Sequence, residues 1–234
     1  MDRFVDLHQH VLWGIDDGPQ NREEMIALLR RNAEQGIGIV AATPHALPGV
    51  RPFDIELYWQ RLKEAQSYCS EENLPLRVIS GAEIRYTPMT LSMLLDRRIP
   101  TLGDSEYVLL EFWGTVDRGT FENAISQLFR HGFLPVVAHV ERYRLFWQDL
   151  SFLKAIKEKY DVCYQMNCDF ALKHNLSASL LVHRLTHNQI ADIWATDAHN
   201  LETRPPRMAE AFQFFSERKN RKALEMFVTE ERFC

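Results

Sequence analysis

An α/β barrel built from a repeating strand–helix unit is the fold class this sequence predicts, and three observations carry it. Short apolar, β-branched runs recur at 3–7, 37–43, 76–82, 107–112, 134–138, 162–166 and 190–196. Their near-continuous apolar character suits strands covered on both faces, as in a parallel sheet. Helical segments lie between them, and the length of 234 residues suits one closed unit, since such barrels run to about 200–250 residues.

Taken in order, the first run leads into Asp6, His8 and His10. The helix expected over 21–35 opens with Asn21 as N-cap and Glu24 three residues on, and Gly36 stops it. The second run passes through Ala-Thr-Pro to His45, and a helix over 54–72 follows. The third run ends at Glu83 in GAEI and the fourth at Glu111 in LLEFW. A helix over 120–131 places Phe121, Ala124, Ile125 and Leu128 on one face and closes at Gly132. The fifth run ends at His139 in VVAH, and a helix over 151–160 comes next. The sixth run ends at Gln165, the seventh at Asp197 and His199 in ATDAH. There is no low-complexity stretch, linker or internal repeat, and Pro and Gly, ten each, are scattered. One domain spanning residues 1–234 is expected.

Composition narrows the function. Hydrophobic residues make up 46% of the chain, too many for a disordered protein. A net charge of −5 argues against binding led by a nucleic-acid backbone, while leaving room for a local cationic pocket. The four cysteines, Cys69, Cys163, Cys168 and Cys234, form no CxxC pair and read as reduced thiols of a cytoplasmic protein. The opening MDRFVDLHQH is charged at once, so no secretory leader is expected. No apolar run reaches about 18 residues, so no membrane insertion is expected.

In a parallel barrel all strand C-termini open on one rim, so the polar residues ending these runs converge although they span most of the chain. A single strand-end His or Glu is more often solvated than a ligand; seven polar strand ends in sequence are another matter. Alternate strand residues point the same way, so His8 and His10 can share one cation. A donor set of imidazole and carboxylate without thiolate suits Mn²⁺, Fe²⁺ or Zn²⁺ at a catalytic site. The candidates exceed what one ion needs, which points to two or three ions with a bridging carboxylate. Arg142 follows His139 by three residues and Arg204 follows His199 by five. A guanidinium forks onto phosphate oxygens, although a loop Arg in a surface ion pair is equally common.

The motifs DLHQH, GIDDG, ATPH, GAEIR, LLEF, AHxERY and TDAHN, in this order and spacing, resemble those of the PHP (polymerase and histidinol phosphatase) superfamily. GIDDG, GAEIR and AHxERY resemble its bacterial branch of metal-dependent protein-tyrosine phosphatases, associated with capsule and exopolysaccharide synthesis. The resemblance runs from Asp6 to Arg204. It implies a single-domain distorted seven-stranded (β/α) barrel of the PHP type and a centre of two or three Mn²⁺ ions. By motif position, His8, His10, Glu83 and Asp197 would hold one ion. Glu83 would bridge to a second ion held with Glu111 and His139. Asp16, His45 and His199 would hold the third, with Asp17 bracing the turn at Gly18. Arg142 and Arg204 match the arginines that contact phosphate. Two departures border the substrate: Val140 stands where the family has Pro, and QMNCDFALKHN replaces a stretch rich in small residues.

The implied reaction is hydrolysis of phosphotyrosine in protein by a metal-activated hydroxide, with a bacterial tyrosine kinase that controls capsule synthesis as the expected substrate. Self-association is left open. A cysteine-dependent phosphatase needs Arg six residues after its Cys, whereas Pro75, Asp169 and His174 stand there. The alternatives are a PHP phosphatase for a small phosphomonoester such as histidinol phosphate, an amidohydrolase, and a regulatory scaffold with a degenerate metal site. Amidohydrolases use a bridging Lys where this chain has Glu83. The GNH[ED] motif of calcineurin-like phosphoesterases is absent.

Overall fold

The computed structural model describes residues 3–173 and 175–233, so His174 and Cys234 lie outside the described residues. The strands are β1 (Phe4–Gln9), β2 (Ile37–Ala42), β3 (His45–Ala46), β4 (Arg77–Ile79), β5 (Glu83–Arg85), β6 (Tyr107–Glu111), β7 (Leu134–Val137), β8 (Cys163–Asn167) and β9 (Ile193–Ala195). All pair in parallel, in two sheets ordered β1-β2-β4 and β3-β5-β6-β7-β8-β9. The helices are α1 (Arg22–Glu34), α2 (Ile55–Glu71), α3 (Thr90–Leu95), α4 (Arg118–Arg130), α5 (Arg144–Gln148), α6 (Leu150–Tyr160), α7 (Cys168–Ala171), α8 (Leu176–His187), α9 (Met208–Glu217), α10 (Arg221–Leu224) and α11 (Glu230–Phe233). No helix among the described residues is long and apolar enough to cross a membrane.

Every expected strand position holds a strand, with ends shifted by up to three residues. Two of them are interrupted, which corrects the expected count of seven. Pro44 has no backbone N–H, so the second run breaks after Ala42 and resumes as β3, which pairs with β5. In the third run the N–H of Gly81 is taken by the Tyr58 hydroxyl at 2.8 Å. A Cβ at Gly81 would lie 2.8 Å from Thr43 Cγ2 and 2.9 Å from Leu102 Cδ2, so the chain narrows there. Glu83 therefore begins β5 rather than ending the strand before it, and it faces His45 across the β3–β5 ladder. No continuous ladder closes the two sheets into one barrel. A parallel bridge between Gln9 and Ala198 joins the end of β1 to the residues beyond β9.

The helices begin where side chains cap them. Asn21, Asp54, Asp117 and Asp149 accept from the N–H groups of Glu24, Leu57, Thr120 and Phe152. α8 and α9 were not expected from the sequence. In α8, Leu176 and Leu180 are exposed while Leu181, Val182 and Leu185 are buried, so its apolar stripe is blurred. The main core packs helices on the outer faces of the sheets, with Phe121, Phe146, Tyr164, Phe112 and Tyr143 in ring contact. A smaller cluster of Ala41, Leu102, Leu109, Val136 and Ala138, with Leu7, Ile79, Cys163 and Ile193 against it, fills the space enclosed by the strands.

In β1 the buried Asp6 accepts from Thr196 N at 3.1 Å, His8 N at 3.2 Å and Gln9 Nε2 at 2.9 Å, and also from the Thr196 hydroxyl. Gln9 exchanges two amide bonds of 2.7 Å with Asn32 of α1. This network joins β1 to the end of β9. Burial pushes the Asp6 carboxyl up, against these hydrogen bonds. Replacing Asp6 with Ala strands two buried backbone donors, a loss of about 2–4 kcal/mol. Thermal denaturation of Asp6→Ala is expected to show a fall of roughly 5–15 °C, and Asp6→Asn, which keeps an acceptor, a smaller one.

Candidate metal centre

Strand geometry brings the strand-end residues together. His8 lies in β1 and His10 just beyond it, and both rings are buried. Nε2 of His8 lies 3.4 Å from Glu83 Oε2 and 3.5 Å from Asp197 Oδ1. Nε2 of His10 lies 3.3 Å and 3.5 Å from the same two atoms. The other Glu83 oxygen lies 2.6 Å from His139 Nε2, which stands 3.5 Å from Glu111 Oε1. His45 approaches Glu83 Oε2 to 2.8 Å through Nδ1, while its Nε2 and the Nε2 of His199 lie 3.4 Å and 3.3 Å from Asp17 Oδ1. The ligand-type atoms fall into four overlapping groups: His10, Asp17, His45 and His199; His8, His10 and Asp197; His8, Glu83 and His139; His45, Glu83 and Glu111.

Asp16 and Asp17 are oriented the other way round from expectation, and the grouped ligand-type atoms include Asp17. Asp17 turns its carboxylate to His45 and His199. Asp16 accepts from His10 Nδ1 at 2.6 Å, His45 N at 2.9 Å and Gly18 N at 3.0 Å, so it is Asp16 that braces the turn. Adjacent residues in an irregular loop face different ways, and the six-residue spacing from His10 did not say which faces inward.

Most of these imidazoles are held by their other nitrogen. His8 Nδ1 donates to Gln165 Oε1 at 3.1 Å, and His139 N donates to the same oxygen at 2.9 Å. His10 Nδ1 donates to Asp16, and His199 Nδ1 to the Asp197 carbonyl at 3.0 Å. The Tyr143 hydroxyl, 3.3 Å from His139 Nδ1, accepts from Phe112 N. The Nε2 atoms therefore point inward, the arrangement by which hydrogen-bonded neighbours orient metal-ligating histidines. Gln165 thus orients the His8 ring and the backbone of His139 through one oxygen. Tyr143 is a positioning residue that sequence reasoning missed, although it stands in the quoted AHxERY motif.

The arrangement fits a metal centre on one physical test. Among the described residues, six buried side-chain atoms have no hydrogen-bond partner, and four of them are here: Nε2 of His8, His10 and His199, and Oε2 of Glu83. Each orphaned buried polar atom costs about 1–3 kcal/mol, and cations held by these overlapping groups would satisfy them. The donors are nitrogen and oxygen only, a set suited to Mn²⁺, Fe²⁺ or Zn²⁺. Burial opposes ionisation of Glu83 and Asp197, yet the surrounding histidines hold both carboxyls well below their ordinary range. Burial, with the charges of His10 and Arg204, pushes the His199 imidazole down to about 3, which keeps it neutral and free to ligate.

Three guanidinium groups border the cluster. Arg142 pairs with Asp197 Oδ2, and Arg204 donates to Asp197 Oδ1 at 2.9 Å and lies 3.5 Å from Asp17 Oδ2. Asn167 Nδ2 donates to Asp197 Oδ2 at 2.8 Å. Arg85, the last residue of β5, holds Glu111 Oε2 through Nε at 2.8 Å and Nη2 at 2.6 Å, and stacks on Trp113 at 4.2 Å. Arg85 was present in the quoted GAEIR motif but was given no role from sequence.

Buried imidazoles and carboxylates gathered where parallel strands end, with arginines on the rim, define a class: candidate metallohydrolases on an α/β scaffold. The chain belongs to the CpsB/CapC family of capsular polysaccharide synthesis, which it matches over residues 4–232. It is 31% identical over 239 residues to tyrosine-protein phosphatase CpsB of Streptococcus pneumoniae, the alignment covering 98% of this chain and 97% of the relative. Tyrosine-protein phosphatase YwqE of Bacillus subtilis (strain 168) is 30% identical over 209 residues, covering 89% and 82%. The solved structures of YwqE from Bacillus subtilis and CpsB from Streptococcus pneumoniae, described as unique metal-dependent tyrosine phosphatases, include a chain that matches with a TM-score of 0.83. That match has 28% identity and covers 95% of this chain and 90% of the other.

What the orientation of Asp16 and Asp17 implies for metal binding is open to direct measurement. Metal analysis after loading with Mn²⁺ is expected to show Asp17→Ala short of one ion per chain. Asp16→Ala is expected to keep the full count at saturation with affinity weaker by about 10- to 100-fold, the loss typical of a residue that orients a ligand. The opposite pattern would return the ligand role to Asp16.

Proposed function

We propose that this chain is a metal-dependent phosphatase that hydrolyses phosphotyrosine in protein, acting on a bacterial tyrosine kinase in capsular or exopolysaccharide synthesis. The observation that carries this reading is the set of four buried, unpartnered ligand atoms lying beside two arginines that converge on Asp197. The membership and the named activities of the relatives support the substrate class over a small phosphomonoester. The protein is read as one cytoplasmic domain, its nine strands forming seven staves of a distorted barrel, with β2 continued by β3 and β4 by β5.

His8, His10, Glu83 and Asp197 would hold one ion, Glu83, Glu111 and His139 a second, and Asp17, His45 and His199 a third, Mn²⁺ being the best suited. When bound, such ions lower the pKa of a water towards ~7 and offset charge on the phosphoryl oxygens. Arg142 and Arg204, partly exposed at the rim, turn from Asp197 to the phosphoryl oxygens, where their planar forks tighten as charge spreads over the group. Gln165, Asp16 and Tyr143 keep the rings aimed inward while this happens. The tyrosine leaves as a phenolate of pKa ~10, a leaving group good enough to need no dedicated acid. The described cysteines do not favour thiol catalysis, because burial pushes the Cys69 and Cys163 thiols up to about 11 and the Cys168 thiol well above its ordinary range.

Chelation with EDTA is expected to remove metal and abolish hydrolysis of p-nitrophenyl phosphate, with Mn²⁺ restoring both, while alkylation of accessible thiols leaves turnover intact. Strong activity in metal-free protein would reject the reading. Arg142→Ala and Arg204→Ala are each expected to lower kcat/KM by roughly 30- to 1000-fold, about 2–4 kcal/mol. Melting temperature and metal content should stay near wild type, and Lys should rescue only in part. Lost stability with normal turnover would make these arginines structural.

A further inference from the structure

Beyond the two arginines the cluster opens into a cavity of about 270 Å³. Arg142, Arg204 and Asp197 form its inner side, and Phe170, Lys173 and Pro205 its outer side. Phe170 is supplied by α7 and Lys173 by the turn that follows it, within the stretch where the sequence departs from small residues. Two charge-bearing groups of this wall stand outside an ion pair: Glu141, which accepts from Asn167 N at 3.4 Å and whose carboxyl burial pushes up to about 7, and Lys173. Asp169 is engaged by Arg207 at 3.0 Å, and Asp197 by both inner arginines. Lys173 is exposed and pairs with no carboxylate among the described residues, its ammonium standing 5.1 Å from the Phe170 ring.

We propose that this cavity seats the peptide around the phosphotyrosine, with Phe170 and Pro205 as the apolar wall for the tyrosine ring and Lys173 selecting substrates that carry an acidic side chain beside it. The proposal rests on the phosphotyrosine reading above. Its logic is one of charge and order. A phosphate bound at the rim occupies Arg142 and Arg204, which leaves Lys173 as the free cation among the described residues that line the cavity. The chain as a whole carries a net charge of −5, so an acidic peptide approaches against the general field and gains attraction only where cations are gathered. The Phe170 ring lies 5.1 Å from the ammonium and does not neutralise it. An aromatic side chain entering from the rim passes between the arginines and this wall, so a carboxylate one or two residues away in the peptide comes within reach of a flexible lysine.

The test uses the Mn²⁺-loaded full chain and two phosphotyrosine peptides identical except for Glu or Gln next to the phosphotyrosine. Wild type is expected to favour the Glu peptide in kcat/KM by about five- to tenfold at low salt, the preference shrinking as salt rises. Lys173→Glu should reverse the preference, and Lys173→Arg should keep it. Phe170→Ala should raise KM for both peptides and lower the selectivity little, which separates the wall from the lysine. A wild-type ratio near one, or the same ratio in wild type and Lys173→Glu, would overturn the proposal. Hydrolysis of p-nitrophenyl phosphate with neither peptide accepted would instead bring down the phosphotyrosine reading on which it rests.

Discussion

One buried carboxylate organises this molecule. Glu83 has imidazoles on both oxygens, His8, His10 and His45 around Oε2 and His139 at Oε1. Those four rings arrive from β1, from the residue just beyond it, from β3 and from the turn after β7. A carboxylate so placed is tolerable only because its counter-groups arrive from several strands at once. The sheet is built to deliver them: the breaks at Pro44 and Gly81 move His45 and Glu83 onto short strands of their own, where the two residues pair directly. Regular continuation of either strand would have carried these side chains on with the pleat.

The backbone bears part of the cost. His139 and Asp197, both buried, adopt positive φ of 33° and 54°, a left-handed conformation that costs of order 1–3 kcal/mol for such residues. Each is held by a specific bond, His139 N to Gln165 and Asp197 N to the carbonyl of His8 at 2.8 Å. The turns that aim the two side chains inward are thus fixed by neighbours that also shape the site. Gln165 is the clearest case, since one oxygen fixes both the backbone of His139 and the ring of His8.

Much of the strand pattern was readable before any coordinates, because parallel strands covered on both faces are near-continuous apolar runs and IGIVAA, fully buried in β2, is an extreme example. The polar ends of those runs are informative for the same reason: a His or Glu that ends an apolar strand has few other places to go than the rim. What stayed hidden depends on loop direction and on tertiary partners. Neither composition nor spacing distinguishes Asp16 from Asp17, and only the turn at Gly18 decides which faces inward. Arg85 stands past the expected end of the third run, and its role appears only with Glu111 across the ladder from it. Tyr143 was one more aromatic in a loop until its hydroxyl met both Phe112 N and His139. The blurred stripe of α8 follows from a helix that is apolar on more than one side, a pattern without a single readable face.

The tie between the two ends of the sheet has a consequence for how the protein is made. The residues of the cluster run from His8 to His199, and the bond from Asp197 N to the His8 carbonyl joins them near the first and last of the strands. During synthesis the first histidines emerge almost 190 residues ahead of their partners, and β1 waits at an open edge until the last strand is released. The cluster is therefore assembled only after the residues around His199 have emerged. A donor set completed so late offers a cation its full set of ligands only once both ends of the sheet are joined, and before that point no more than part of the site exists.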